Sequence, residues 1–185
     1  DGGGRSVKPT RSDEPLYGPQ YLPRKFKVGI AHPDDNSVDV LTQDVGLVPV
    51  LVDGSCDGSL WDLHSGGGLG QNHNNPQTAP LLGFFLGRIA REQVIDAVRA
   101  IATLQKEHGE RRDRRLARWK YTIRRLGLER VRRELRERFA IRLHDVEAVA
   151  VGSEFIGHDA HRTRSLQAVI GDDFVDPGHF IDNRG

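Results

Sequence analysis

The chain has 185 residues, of which 37% are hydrophobic and 29% charged, and its 27 basic and 26 acidic residues leave a formal net charge of +1. This length suits one domain, or one domain with a small appendage. No apolar run approaches the roughly 18 residues of a membrane span, and no apolar segment of a secretory signal is visible, so we expect a cytoplasmic protein. The single cysteine, Cys56, can neither close an intrachain disulfide nor alone hold an iron–sulfur cluster.

Two strands are predicted in the first third of the chain, over residues 27–31 and 45–52, because both are short apolar runs bounded by turn residues. Pro49 has no N–H to donate, which favours an edge position or a bulge for the second strand. The stretch that follows, 54–81, is predicted to be rich in loops.

Three helices are predicted next, over residues 92–108, 113–126 and 128–139, with Gly109 ending the first and Gly127 separating the other two. The apolar face of the first helix is expected to consist of Val94, Ile95, Val98, Ile101, Ala102 and Gln105. Beyond the helices, short strands are predicted at 147–151 and 165–170.

Basic residues are concentrated in the helical part of the chain. Residues 106–142 contain fifteen basic and six acidic side chains, so this block carries +9. Such a block is more often a solvated helical face than a surface for anions or nucleic acid.

Lys25 and Lys27 lead into the first predicted strand. In an extended segment, side chains two residues apart point to the same side, so the two ammonium groups are expected to project together while Phe26 faces the core. Two ammonium groups on one face repel each other unless an anion lies between them. The alternative is a solvent-exposed basic edge strand, in which lysine guards against aggregation.

A glycine-rich segment, residues 66–70, is called the glycine loop below. Glycines allow backbone N–H groups to approach a ligand closely and to form an anion-binding nest, although a flexible turn is the alternative. The loop matches neither a phosphate loop nor a dinucleotide-binding fingerprint. The eight histidines show no zinc-ligand spacing, and no metal ligand is predicted in this chain.

Arg114, Arg118 and Tyr121 are expected on one face of the second predicted helix. Guanidinium groups beside an aromatic ring suit nucleic acid, and they equally suit a polycarboxylate cofactor. A solvated helix face is the alternative here too.

Three segments, in this order, resemble the sirohaem-containing nitrite and sulfite reductases, and most closely the assimilatory sulfite reductase haemoprotein. Residues 14–27, which include Leu-Pro-Arg-Lys-Phe-Lys, resemble the central motif of that family. The glycine loop, with His73 and Asn75 after it, resembles the family's glycine-rich loop. Residues 113–121 resemble its Asp-Arg-x-x-Ala-Arg-x-Lys-Tyr segment.

The resemblance implies an enzyme that binds sirohaem, a haem-like ring with eight carboxylates, and that reduces sulfite or nitrite with six electrons. Arginine and lysine suit both anions because they form charge-assisted hydrogen bonds. By the resemblance, Lys25 and Lys27 are the expected catalytic residues, and Lys27 favours sulfite because the nitrite-specific branch has Asn there. The expected sirohaem-binding residues are Arg24, Gly66, Gly67, Gly68, His73, Asn75, Arg114, Arg118 and Lys120.

The chain also departs from the family pattern. The family's [4Fe–4S] cluster is held by four cysteines that lie further along the chain, and Cys56 matches none of them, so the cluster ligands are expected outside this chain. Pro76, Gln77 and Leu81 stand where the family has Lys, Lys and Arg. These differences keep a diverged copy among the interpretations.

The expected fold is α+β, with a mixed or antiparallel sheet and helices packed on one side. Because the chain starts at Asp1 and contains no Met, we interpret it as a fragment. We expect a flexible or truncated segment at 1–13 and a sirohaem-binding domain at 14–149. Residues 150–185 are expected to be a diverged tail, with the start of a ferredoxin-like domain as one interpretation.

The sequence therefore predicts the central portion of a sirohaem-dependent sulfite reductase, inactive as an isolated fragment. The expected partners are sulfite or nitrite, the remainder of the parent chain, and an electron donor that is a ferredoxin or a flavoprotein. Neither a membrane nor nucleic acid is expected as a partner in this interpretation. The alternatives are a nitrite reductase of the same family, a cofactor-free diverged paralogue, and an Arg-rich nucleic-acid-binding module.

Overall fold

A computed structural model describes residues 16–51, 55, 57–73, 75 and 77–146. The strands are β1 (Val28–Ile30), β2 (Val45–Pro49), β3 (Leu60–Ser65) and β4 (Phe84–Ala90), and the helices are α1 (Val94–His108), α2 (Trp119–Leu126) and α3 (Leu128–Glu137). Single turns of 3₁₀ helix lie at Gly18–Gln20, Val40–Thr42, Arg91–Gln93 and Arg114–Leu116. The predicted strands at 147–151 and 165–170, the segment 1–13, Cys56 and Pro76 lie outside the described residues.

The four strands form one sheet in the order β1-β2-β3-β4. The β1–β2 pair is parallel, whereas β2–β3 and β3–β4 are antiparallel. A bulge between Leu63 and His64 interrupts the pairing of β3 with β4. The sheet is therefore mixed, which confirms the α+β prediction.

One apolar core joins the sheet to the helices. Val45 and Leu47 of β2 and Leu63 of β3 pack with buried side chains from all three helices. Val48 lies on the opposite face, because side chains alternate along a strand, and there it packs in a small cluster with Ala31 and Val40. This separation confirms that the helices pack on one side of the sheet. Phe26 packs against the larger core, as predicted.

The helix ends follow the glycines, but the predicted faces need correction. The Gly109 N–H donates to Gln105 O at 2.9 Å and ends α1, and Gly127 separates α2 from α3 with φ of +83°. Ile95 was predicted to face the core, but it is 61% exposed because the buried stripe runs through Ala97, Ala100, Ile101 and Leu104 instead. Within the described ranges, no helix is long and apolar enough to cross a membrane.

The second predicted helix is interrupted. Asp113 accepts from the Arg115 N–H at 2.9 Å and caps a 3₁₀ turn, and Arg118 has an extended backbone, so α2 begins only at Trp119. Arg114 and Arg118 therefore do not share a helix face, and that prediction is wrong. The reason is the local Asp113 bond, which offers the backbone a turn in place of a continuous helix.

The predicted loop-rich stretch contains β3, and β4 was not predicted. Asp62 is fully buried on β3, where it accepts from Arg88 Nε of β4 at 2.7 Å. Buried polar residues hide the strand pattern in both segments. The predicted edge position of Pro49 is also wrong, since β2 lies between β1 and β3. Pro49 is tolerated because the pairing with β1 ends opposite Leu47.

Candidate anion-binding site

Asp44 joins the segment that leads into β1 to the glycine loop. Its carboxylate Oδ2 accepts from the Lys27 backbone N–H at 2.9 Å, and its carbonyl oxygen accepts from Gly66 N at 3.0 Å and from Ser65 Oγ at 2.9 Å. The side chain is fully buried. Burial raises the pKa of the Asp44 carboxyl, whereas the Lys27 N–H and the guanidinium of Arg118 act to lower it.

The backbone N–H groups of the glycine loop are engaged within the protein. Gly66 N donates to Asp44 O, Gly67 N donates to Gln43 O at 2.9 Å, and Gly68 N donates to Leu81 O at 2.7 Å. These three groups therefore do not form the predicted nest for an anion. The loop is a hydrogen-bonded turn, whose carbonyl groups rather than its N–H groups meet the basic side chains.

The absence of side chains on the loop allows its neighbours to pack closely. A Cβ atom added at Gly66 would lie 2.5 Å from Ile123 Cγ2, and one at Gly68 would lie 2.5 Å from Arg118 Nη2. Such distances are far below ordinary van der Waals contact. The glycines thus bring the start of α2, with its cations, against the loop.

Lys120 is fully buried beneath the glycine loop. Its Nζ donates to Gly68 O at 2.9 Å, to Gly70 O at 2.7 Å and to the carbonyl oxygen of Ala79. Burial, and then the neighbouring Arg118 charge, lower the pKa of Lys120 to about 8. The three carbonyls use all three N–H donors of the ammonium group, so its function in the structure is to hold the loop.

Arg118 lies between the loop and an open cleft. Its Nη2 is 3.5 Å from Gly67 O and 3.8 Å from Asp44 Oδ1, and its side chain is 16% exposed. Its Nε is buried and has no hydrogen-bond partner among the described residues. An arginine with an unused buried donor at the wall of a cleft is suited to bind an anion there.

The cleft has a volume of about 390 Å³ and is strongly basic. Of the described residues that line it, five are cationic and none is acidic. The lining residues are Arg24, Lys25, Gly70, Gln71, Asn72, Arg114, Arg115, Arg118 and Tyr121. Five cations around one opening create a positive potential that attracts an anion with several charges. Within the described ranges, no group of three or more His, Cys, Asp or Glu side chains is placed to hold a metal ion.

A family model described as the nitrite and sulphite reductase 4Fe-4S domain matches residues 8–143. The chain belongs to this family. The match confirms the resemblance found in the three sequence motifs, all of which lie within the matched residues apart from none of their length. The cationic cleft is thus a feature of a nitrite and sulphite reductase 4Fe-4S domain.

Named relatives agree with the family assignment. The chain is 45% identical over 131 residues to the sulfite reductase (NADPH) hemoprotein beta-component of Geobacillus kaustophilus, covering 71% of this chain and 22% of the relative. It is 42% identical over 139 residues to the protein of the same name from Bacillus subtilis, covering 75% of this chain and 24% of the relative. The structure of the Mycobacterium tuberculosis NirA protein matches with a TM-score of 0.57 at 28% identity, covering 71% of this chain and 23% of that chain. The chain therefore spans about a quarter of the length of these relatives.

The domain brings together four of the residues that the sequence singled out, namely Arg24, Lys25, Arg114 and Arg118. Lys27 is not among the described residues that line the cleft, and its Nζ lies 3.5 Å from Thr42 O. The strand begins at Val28, so both lysines precede it. Whether they act together on one anion stays a prediction.

His73 and Asn75 lie in the turn that follows the glycine loop. Asn75 Oδ1 accepts from Gln77 N at 3.0 Å, and the Asn75 carbonyl accepts from Thr78 Oγ1 at 2.8 Å, so Asn75 shapes the turn. The His73 side chain is exposed. Neither is among the described lining residues of the cleft, and their contact with a cofactor stays a prediction.

The sequence analysis missed Asp44 and Arg115. Arg115 lines the cleft while its guanidinium pairs with Asp113 at 2.9 Å. Asp44 was visible only as a lone acidic residue directly before an apolar strand. That position carries a signal, because the first residues of a strand leave N–H groups that a short carboxylate can accept.

Proposed function

We propose that this chain is the central portion of a sirohaem-dependent sulfite reductase, which reduces sulfite to sulfide with six electrons. The observation that carries the proposal is the cleft, with five cationic and no acidic side chains among its described lining residues. A ring with eight carboxylates needs such a surface, since each carboxylate must exchange its water for a charge-assisted hydrogen bond. The relatives named as sulfite reductase support the same substrate.

The cleft fits the carboxylate edge of sirohaem. Arg24, Lys25, Arg114, Arg115 and Arg118 would hold the carboxylates, and the unpaired buried Nε of Arg118 is a donor still available to such a ligand. Lys120 would support the ligand from beneath by fixing the loop. When bound, sirohaem supplies the iron at which the substrate anion is reduced.

The described part of the chain does not fit the [4Fe–4S] cluster. Such a cluster is held by Cys thiolates, usually four of them, and this sequence contains one cysteine. We therefore propose that the cluster ligands lie outside residues 1–185. No catalytic role is assigned to Cys56.

The lysines that precede β1 are proposed to handle the substrate anion. Lys25 is exposed at the cleft, where its ammonium can attract an anion or donate a proton as sulfur–oxygen bonds break. Lys27 is held beside the cleft through its backbone N–H bond to buried Asp44. A preorganised cation gains catalytic value because it does not need to reorient during the reaction.

The remaining parts of the proposal concern partners and location. The names of the relatives favour an NADPH-linked electron donor over a ferredoxin. The remainder of the parent chain and a cytoplasmic location belong to the same proposal. A nitrite reductase of the same family is the second candidate, favoured by the structural match to NirA.

The test is the sirohaem content of charge-reversal variants in the complete native polypeptide, expressed with cofactor supply. Arg114→Glu changes an exposed residue of the cleft, so we expect a folded protein with reduced visible absorbance of sirohaem. Arg112→Glu is the matched control, since Arg112 is exposed two positions away and is not among the described lining residues. Equal sirohaem content in the two variants would overturn the proposal. Salt-sensitive DNA binding that both variants lose equally would favour a nucleic-acid-binding module instead.

A further inference from the structure

The buried carboxylate of Asp44 is only half satisfied. Oδ2 accepts the Lys27 N–H, but Oδ1 is buried and has no hydrogen-bond partner among the described residues. The nearest cation is Arg118, whose Nη2 lies 3.8 Å from this oxygen, within ion-pair range but too far for a hydrogen bond. A buried carboxylate oxygen without a donor is costly, so this arrangement requires a physical reason.

Arg118 is also incompletely satisfied. Its one contact with the loop, to Gly67 O, measures 3.5 Å, and its buried Nε has no partner within the described part of the chain. The guanidinium therefore stands between a buried acid on one side and the cleft on the other. It is saturated by neither, although it carries five donors.

We propose that Asp44 is a positioning residue of the cleft, which holds Arg118 over the glycine loop and competes with an anionic ligand for its guanidinium. The inference rests on the proposed function in one respect, namely that the ligand is a polycarboxylate. In the absence of ligand, the Asp44 charge keeps Arg118 in place and offsets the repulsion between Arg118 and Lys120. When a carboxylate enters the cleft, Arg118 turns its free donors toward it, and the hold of Asp44 weakens the binding.

Charge and protonation give this competition a direction. The cations that act on Asp44 are Lys25 and Lys27 from the segment before β1, and Arg118 and Lys120 from the start of α2. Because burial raises the pKa of the Asp44 carboxyl, the group takes up a proton at a higher pH than an exposed aspartate does. A neutral Asp44 no longer competes, so anion affinity is expected to increase as the pH falls through this pKa.

The test is a fluorescence titration of the complete native polypeptide, free of cofactor, with uroporphyrin, a metal-free porphyrin with eight carboxylates. Asp44→Asn keeps an oxygen to accept the Lys27 N–H but removes the charge, and we expect it to bind the porphyrin about tenfold more tightly than wild type. The matched control is Asp39→Asn. It removes the same charge at an exposed residue of the preceding turn, where the left-handed backbone (φ of +48°) accepts Asn, and we expect wild-type affinity.

The sign of the effect separates positioning from a structural role. A structural Asp44 would make Asp44→Asn bind more weakly, and that result, or an unchanged affinity, would overturn the inference. Should Asp44→Asn fail to fold, the wild-type pH profile decides, since a flat profile between pH 4 and 7 contradicts the competition. Arg118→Gln reports on the proposed function separately. If it weakens binding while Asp44→Asn does not strengthen it, the polycarboxylate site stands and only the inference fails, whereas no porphyrin binding by wild type overturns both.

Discussion

Lys120 donates to the carbonyl oxygen of Gly68 at 2.9 Å, so a buried ammonium at the start of α2 holds a loop that lies far back in the sequence. Gly70 and Ala79 supply the other two acceptors. Lysine is almost never fully buried unless it is paired, and here the partners are neutral carbonyls rather than a carboxylate. The glycine loop and α2 therefore depend on each other, and the floor of the cleft depends on both.

The first prediction concerns the stability that this lysine provides. Lys120→Met fills the same space but leaves three carbonyls without their donor, and we expect the free energy of unfolding to fall by about 3 kcal/mol. Urea denaturation measures the loss, and hydrogen exchange at residues 66–70 is expected to accelerate. Lys106→Met is the matched control, because Lys106 Nζ donates to a single printed carbonyl partner, Leu16 O, at 2.9 Å. Its loss is expected to be about 1 kcal/mol, and equal losses would contradict the three-carbonyl interpretation.

The second prediction is a pH dependence with a definite sign. The pKa of Lys120 is lowered from 10.5 to about 8 in the folded protein, so between these values the unfolded chain binds a proton that the folded chain has released. Stability therefore rises with pH across this window, by at most about 3 kcal/mol, and is constant below it. The measurement is the difference in unfolding free energy between wild type and Lys120→Met from pH 7 to 10.5. A flat difference would mean that the three carbonyls return the pKa to its ordinary value.

The third prediction concerns the space around the glycine loop. A Cβ atom at Gly67 would lie 2.1 Å from Leu41 O and 2.8 Å from Gln43 O, and both are backbone atoms that cannot move independently. We expect Gly67→Ala to cost about 3 kcal/mol of stability. Gly70→Ala is the control, since its Cβ would meet only Arg118 Nη1 at 3.5 Å, which is an ordinary contact. Thermal unfolding of the two variants checks the contrast, and similar melting temperatures would refute it.

Local signals in the sequence predict the helical part of the fold well. Gly109 and Gly127 mark the helix ends correctly because a helix terminus is decided by a few neighbouring residues. The strand β3 could not be found in this way. Its Asp62 is buried only because Arg88, from the next strand, satisfies it, and no local pattern announces a partner 26 residues away.

The candidate site shows the same division between local and distant information. The motifs identify Arg24, Lys25 and Arg118 as residues of the site, and the cleft contains all three. The burial of Lys120 could not be predicted, because a charged residue in a basic segment is expected to face solvent. Its carbonyl partners come from a loop at least 41 residues earlier in the chain, and only the folded structure brings them together.

The last prediction separates catalysis from stability in the segment before β1. Phe26→Ala is expected to lower the free energy of unfolding by about 3 kcal/mol or less, because its ring packs against the main core but is only partly buried. Lys25→Ala changes an exposed side chain at the cleft, so we expect stability to remain while the complete enzyme reduces sulfite and nitrite more slowly. Unfolding curves and turnover rates of the same preparations distinguish the two kinds of effect.

Lys27→Asn gives the sharpest outcome within that series. The substitution retains the backbone N–H that donates to Asp44, so the local structure is expected to persist while one cation is lost. A charge-assisted contact that strengthens in the transition state is worth on the order of 10²-fold in rate, and we expect sulfite turnover in the complete enzyme to fall by about that factor. Nitrite turnover is expected to fall much less, because nitrite is smaller and carries one negative charge whereas sulfite carries up to two. An unchanged ratio of the two rates would remove Lys27 from substrate selection and would return it to the role of a solvated basic residue beside the sheet edge.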